Sequence, residues 1–564
     1  VKKLLIPLVI LLVLSFIAAG CSSSPTTTTA PPTTQPTTAA PTTSAPATTT
    51  AAPTTTAKPT TSAPATTTTA PSTTPSTPAG VKRGGTLTWI ATSGPAGAIG
   101  WPPEVTGPNG VTPQISEQPL LKEMLDGSMV GNLAASFDVD TGTADPSLTL
   151  HLQKGVKFHD GTDFNAAAVK WNLDLIKSTP YYLSSTANWK SIEVVDDYTV
   201  KVHFTAWQNT LVRNFGDTMT YQVSPTAFTK YGIDYMRLNM VGTGPFVQSN
   251  YQRDVTLQGV RNNNYWEPGK PYLDSIKYLF VADELTATAL YKSGGGDVLG
   301  ISNLLTMTQL QAAGDNVVVQ YLGPTSLFPD AANPDSPFAN IKVRQALAYA
   351  IDNEAIAKTF GFGFWKAAYQ FSTPASKAYD PTITGIHYDV AKAKQLLADA
   401  GYPNGFKTTI WASPIFLNKD VVLAIQANLK AVGIVADTQF PLFAQWSDMS
   451  TKAAPKNSII YTSINEWGNQ NATFNYFLGA PATVYPSALK PTGWKETLDA
   501  SKATSAPDPV LLKKMENMIN DNAMVIPIYY GTNNIAFKPY VMDSGQGTRG
   551  QSNWYEPQQT WLNK

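Results

Sequence analysis

The chain has 564 residues, 40 basic and 40 acidic side chains, and 43% hydrophobic residues. That balance excludes the basic patch a nucleic-acid binder needs, and the length is ample for more than one core. Cys21 is the sole cysteine, which excludes an internal disulfide and a thiolate site for a soft metal.

Lys2 and Lys3 precede an apolar run from Leu4 to Ile17, interrupted only by Pro7 and Ser15, and Ala18, Ala19 and Gly20 lead into Cys21. This is the plan of a secretory signal peptide over residues 1–20, with an apolar run too short for a comfortable membrane span. A cysteine directly after the small residues resembles the lipobox of bacterial lipoproteins. That resemblance implies that Cys21 is acylated and becomes the mature N-terminus. Residues 22–80 are almost entirely Thr, Pro, Ala and Ser, with Lys58 as their one charge. With no large apolar side chain to bury, such a segment cannot offset its own ordering entropy. Residues 21–80 are therefore read as a lipidated cysteine and a disordered linker, reaching roughly 180 Å when fully extended.

From Val81 onward Trp, Tyr, Val and Leu become frequent. Gly84 to Ile90 reads as a glycine turn and a strand. Leu148 to Leu152 alternates apolar and polar residues as a half-buried strand does, and Lys154 to Gly161 adds a turn and a short strand. Asn165 offers an N-cap for a helix through Lys177. Ile192–Val195 and Tyr198–Phe204 form a hairpin about Asp196 and Asp197. The second half is more helical. Asn340 caps a predicted helix from Ile341 to Lys358, Asp389 caps another ending at Gly401, and a third runs from Asp420 to Gly433. A helix near Leu511–Asn520 and a strand over Met524–Tyr530 close the chain. Strands and helices intermixed in this way predict an α/β or α+β fold.

Seven segments together carry a resemblance to one family. Residues 148–174 (LTLHLQKGVKFHDGTDFNAAAVKWNLD) hold a Phe-His-Asp-Gly loop between strand and helix. Val241 to Phe246 forms a glycine-rich turn, followed by Arg261 to Trp266 and Gly269 to Asp274. Residues 337–358 (PFANIKVRQALAYAIDNEAIAK), Tyr388 to Pro403, Ile425 to Ile434 and Val525 to Tyr530 complete the series. In this order they resemble the bacterial extracellular solute-binding proteins of family 5, the peptide, oligopeptide and nickel class. The resemblance implies a two-lobe periplasmic-binding-protein-like α/β fold of class II, joined by a hinge, with a subdomain inserted in the first lobe. Mapped here, lobe I is 81–120 with 236–322 and 520–564, the insertion is 121–235, and lobe II is 323–519. It also implies a monomeric receptor, anchored outside the cell membrane, that delivers a peptide-like organic solute to an ABC permease and ATPase, with no cofactor and no catalysis.

The chemistry-bearing residues agree with a receptor. The chain has no GxSxG, HExxH or GxxxxGK[ST] motif. His151 and His159 flank one turn, but the family's loop carries His159 whatever the ligand, so no metal site is assigned. Asp196 and Asp197, and Asp160 and Asp163, read as turn and cap residues rather than acid–base pairs. The ligand signal lies in aromatics beside loop residues: Trp101, Trp365, Trp411 and Trp467. Asn465, Glu466 and Trp467 fall where the family's second lobe meets its ligand. With Trp411 and Trp101 they form the expected ligand-binding set, Glu466 facing a ligand cation and Trp467 offering a stacking wall. The uncharged stretch Ala91–Trp101 is expected to supply backbone and aromatic contacts. Two other readings differ in class: a secreted hydrolase on a Thr/Pro tether, and a surface solute receptor for signalling.

Overall fold

The computed structural model describes residues 80–95, 97–105, 112–414, 418–452, 455–479, 484–548 and 555–564. The signal peptide, Cys21 and the linker up to residue 79 lie outside the described residues. Among the described residues no helix is long and apolar enough to cross a membrane.

An eleven-stranded mixed sheet organises the chain. Its middle is two long antiparallel strands, Asn316–Pro329 and Ile526–Phe537, paired from Asn316 opposite Phe537 to Leu327 opposite Ile526. At 14 and 12 residues they far exceed the usual strand of about 5–6 residues, so both run through the two halves of the sheet. Beyond the second of them come, in order, Val298–Gly300, Thr86–Ala91, Ser275–Phe280, Thr256–Arg261 and Phe246–Gln252. Beyond the first come Ser458–Ser463, Lys407–Ala412 and Val435–Gln439, and the two-residue strand Lys366–Ala367 pairs with Ile526–Phe537 off this path. The register of the long pair slips between Tyr321 and Gly323, leaving Leu322 as an extra residue. Gly323 follows at φ +136°, and a Cβ there would lie 2.5 Å from the Ile464 carbonyl oxygen, so this bulge requires glycine.

A separate four-stranded antiparallel sheet is built from Ala134–Asp140, Ser147–Leu152, Thr199–Phe204 and Trp189–Asp196. Its alternation buries Leu148, Leu150, Val200 and Val202 on one face, where Val169 and Leu173 of helix Ala166–Ser178 complete the core. Asn165 caps that helix by accepting from the Ala168 N–H at 3.0 Å, and Asp196 closes the hairpin by accepting from the Tyr198 N–H at 2.8 Å. In the other half, Leu347, Ile410, Ile425, Leu429, Ile459 and Ile528 share one core between helices and sheet.

Two elements differ from the sequence reading. The helix expected over 341–358 is two, Ile341–Ala350 and Asn353–Gly361. Ile351 between them is extended, and Asp352 starts the second by accepting from the Ala355 N–H at 2.9 Å. The last strand runs on to Phe537 because its pairing with Asn316–Leu327 continues past Tyr530.

Candidate functional site

The first strand, Thr86–Ala91, runs parallel to Ser275–Phe280 on one side and Val298–Gly300 on the other. Their carboxyl ends therefore open toward one place, the usual position for a ligand crevice in a parallel sheet. A cavity of about 430 Å³ lies there, within the range of roughly 300–1,000 Å³ typical of small-molecule sites. Trp89 and Tyr278 are direct neighbours in register, so both rings fall on the same face. They stack at 5.8 Å with an interplanar angle of 28°. Tyr555 packs on Trp89 at 5.0 Å and its hydroxyl meets that of Tyr278 at 2.6 Å, which fixes the wall from behind. Thr92, Ser93 and Gly94 continue the lining beyond the first strand, and the long strand Ile526–Phe537 supplies Thr532, Asn533 and Asn534. Asn534 is 3% exposed; its Nδ2 donates to Thr532 Oγ1 at 3.1 Å, while its Oδ1 has no hydrogen-bond partner among the described residues.

On the other side of Leu322 lies a second, much smaller niche, lined by Asn465, Glu466 and Trp467 with Leu125, Tyr321 and Thr373. Leu322, the residue skipped by the bulge, lines both spaces. Past the end of strand Ser458–Ser463 the chain is still held to the long strand. The Ile464 N–H donates to the Pro324 carbonyl at 3.0 Å and the Glu466 N–H to that of Leu322 at 2.6 Å. The Glu466 carboxyl accepts from the Thr373 N–H at 2.9 Å, and its Oε1 is buried without a hydrogen-bond partner among the described residues. Burial pushes this carboxyl up to about 7, with the Thr373 contacts opposing. A neighbour behaves alike. Glu516 accepts from the Phe371 N–H and from Ser372 Oγ, both at 2.6 Å, and burial pushes it up to about 7. Two enclosed carboxyls thus hold the backbone of residues 371–373.

Trp467 is covered rather than free. The Arg213 guanidinium sits 4.9 Å from its ring centroid, and Tyr476 meets the ring edge-on at 5.3 Å. Arg213 is itself paired with Glu123 at 3.2 Å and Asp217 at 3.1 Å. Gly127 and Gly468 meet backbone to backbone, and a Cβ at Gly127 would lie 2.0 Å from the Gly468 carbonyl oxygen.

Of the five sequence-named ligand residues, the structure brings Asn465, Glu466 and Trp467 together at the niche. Trp411 packs half-buried against the core around Phe474 and Trp494, and lines neither space. Trp101 also lines neither space; it is 4% exposed, with Phe228 stacked on its face at 4.9 Å and Trp171 edge-on at 6.4 Å. The aromatic wall of the large cavity comes from Trp89 and Tyr278, which are also mostly buried. A signal for the polar part was present in the asparagine pair inside an otherwise apolar strand, IPIYYGTNNIAF. His151 pairs with Asp138 at 2.8 Å on an exposed strand, whereas the ring of His159 is enclosed and its Nε2 donates to the Gly244 carbonyl at 2.9 Å, so the two have separate partners.

The model of "Bacterial extracellular solute-binding proteins, family 5 Middle" matches residues 128–485, more than half of the chain. This chain belongs to family 5 of the bacterial extracellular solute-binding proteins. Relatives within reach of sequence comparison include the glutathione-binding protein GsiB of Shigella boydii, 35% identical over 316 residues, and that of Escherichia coli K12, 34% identical over 312. Both matches cover 54% of this chain and 59% of the relative, so the chain spans about three-fifths of the length of these curated relatives. Among solved structures, the peptide-bound periplasmic binding protein DppA of Helicobacter pylori aligns with a TM-score of 0.68 at 22% identity, over 86% of this chain and 99% of that one. The oligopeptide-binding protein AppA of Bacillus subtilis aligns at 0.66 and 21%, over 86% and 100%. These likenesses show the two-lobe periplasmic-binding-protein fold for this family 5 chain.

Proposed function

We propose that this family 5 protein is the substrate-binding component of an ABC importer, capturing a small organic solute and handing it unchanged to a membrane permease and its ATPase. The observation that carries the reading is the cavity of about 430 Å³ at the carboxyl ends of three parallel strands, beside the two long strands that run through both halves of the sheet. In this reading residues 81–120, 236–322 and 520–564 form one lobe, 323–519 the other, and 121–235 an insertion. The long strands are the hinge, and closure encloses the solute. Asn465, Glu466 and Trp467 line the separate niche across Leu322 and in this reading hold the loop after Ser458–Ser463 rather than the solute. The protein is held outside the cell membrane through Cys21, where two acyl chains give stable anchoring that one would not. A peptide-like solute is the starting expectation, from relatives named for glutathione and neighbours solved with peptides.

Native mass spectrometry of the protein purified without denaturation tests the function. The expected result is a co-purifying small molecule that is released intact and rebinds with a rise in melting temperature. Release of a chemically altered molecule would support a hydrolase instead. For the anchor, Cys21→Ala is expected to move the protein from the membrane fraction to the medium, and unchanged retention would refute lipidation.

A further inference from the structure

The two walls of the large cavity differ in residue type but share one property. Among its described lining residues there is no carboxylate, ammonium, guanidinium or imidazole. Trp89, Tyr278 and Phe280 give aromatic surface; Thr92, Ser93, Thr532 and Asn534 give hydroxyls and a carboxamide. The residues that follow the first strand, Ala91 to Pro103, carry no charge either. We propose that the solute held here is electrically neutral, bound by ring faces and by hydroxyl and amide contacts rather than by ion pairs. The inference rests on this cavity being the ligand site, the reading given above.

Ionisable groups stand one layer out. Glu284 stands behind Ser302, where its Oε1 accepts from the Ser302 N–H at 3.0 Å and from Ser302 Oγ at 2.6 Å. Asp254 is exposed at the rim, its Oδ1 2.9 Å from where a Cβ on Gly94 would sit. Across Leu322 lies Glu466. All three are acids; Glu466, raised by burial to about 7, is only partly ionised near neutral pH, and Asp254 has the exposed Arg253 beside it in the chain. An anionic solute would give up its hydration and find no cationic partner among the described lining residues, which leaves only neutral donors to replace its water. A cation fares little better. Glu284 is already occupied by two donors, Glu466 opens toward the niche on the far side of Leu322, and Asp254 sits in water. What the cavity does offer is neutral polar groups, the hydroxyls of Thr92, Ser93 and Thr532 and the carboxamide residue Asn534, whose Oδ1 lies buried without a hydrogen-bond partner among the described residues. Hydroxyl and amide groups on a solute are the partners such a lining takes.

This departs from the ligand suggested by the relatives' names, because glutathione carries two carboxylates and one ammonium. The test is calorimetric titration of the whole protein with four probes: glutathione, dialanine, N-acetyl-dialanine amide and maltose. The composition of any co-purified solute is read alongside. The capped peptide and the disaccharide separate amide from hydroxyl donors. We expect a neutral probe or a neutral co-purified solute to bind, with affinity changing less than about twofold across a tenfold range of salt. Asn534→Leu, close to isosteric within its strand, should weaken that binding about tenfold with little change in melting temperature. Tighter binding of glutathione or dialanine than of the neutral probes, weakened by Asn534→Leu, would overturn neutrality while keeping the cavity as the site. Binding indifferent to both Asn534→Leu and Thr92→Val would place the solute elsewhere and overturn the cavity reading itself, as would a protein that neither carries nor takes any solute.

Discussion

The spaces on the two sides of Leu322 are built from opposite materials. The large cavity is walled by stacked rings, hydroxyls and carboxamides from the strands of one half of the sheet and from the strand Ile526–Phe537. The niche has a carboxyl in its lining, Glu466, and the chain Trp467–Arg213–Glu123–Asp217 behind it. A single bulge in the long strand separates them. The difference teaches where specificity and cohesion reside. An uncharged chamber can exchange solutes without uncovering a buried ion, whereas a buried ion cluster is costly to separate and so serves to hold elements together. Arg213 comes from a short helix after the four-stranded sheet and Trp467 from the loop after strand Ser458–Ser463, so their contact joins distant segments.

The largest expected effect follows from that contrast. Arg213→Ala would leave the carboxylates of Glu123 and Asp217 without their shared cation and uncover one face of Trp467. A destabilisation of about 3–5 kcal/mol is expected in chemical denaturation, because breaking a buried pair leaves an uncompensated charge. A loss below about 1 kcal/mol would show the cluster to be solvated and the contrast false.

A smaller effect comes from the enclosed carboxyls. Glu516 is fully buried and raised by burial from its ordinary 4.5 to about 7, and Glu466 is raised to about 7 as well. An acid whose folded value is raised holds its proton in the native state after the unfolded chain has released it. The native state therefore binds more protons between about pH 4.5 and 7, and stability falls as pH rises through that window. The Glu516 contribution is of order 1–3 kcal/mol. Melting temperature should decline from pH 5 to 7.5, and Glu516→Gln should flatten the decline; a wild-type profile that rises over this range would contradict the assignment. The large cavity, with no such group among its described lining residues, should leave the affinity for a neutral solute nearly constant over the same range.

Much of this architecture was legible in local sequence. Asn165, Asp389 and Asn340 each cap the helix their position suggested, and the Asp196–Asp197 turn joins the hairpin. These signals act within three or four residues. The family blocks supplied the fold and the two-lobe plan, which no local pattern states. The split at Ile351 went unread because the apolar stripe continues through it, although Asp352 is itself a cap. Site residues were harder. Glu466 and Trp467 were named from position in the family, but Thr373 and Arg213, which decide their environment, lie 93 residues before the one and far before the other in sequence. Trp89 and Tyr278 are hidden inside strands that read as ordinary core. Their place at the cavity follows only from the parallel register that sets them side by side.

The smallest prediction concerns Trp101, which belongs to neither space. Gly100 before it and Pro102 after it suggest an exposed loop, yet Phe228 and Trp171 enclose the ring and Met236 packs in the same cluster. Trp101→Phe keeps an aromatic face for Phe228 but removes part of the contact with Trp171. The expected cost is about 1 kcal/mol, the scale of an aromatic pair beyond its buried area. Solute affinity should stay within about twofold of wild type, since no ring in this cluster lines either space. The two measurements separate packing from recognition. A core ring lowers the melting temperature of the empty protein and leaves the titration alone; a ligand ring does the reverse. If Trp101→Phe weakened binding tenfold without moving the melt, the chamber would have to extend past the end of the first strand as far as Trp101. The boundary drawn between the uncharged wall and its supporting core would then fall.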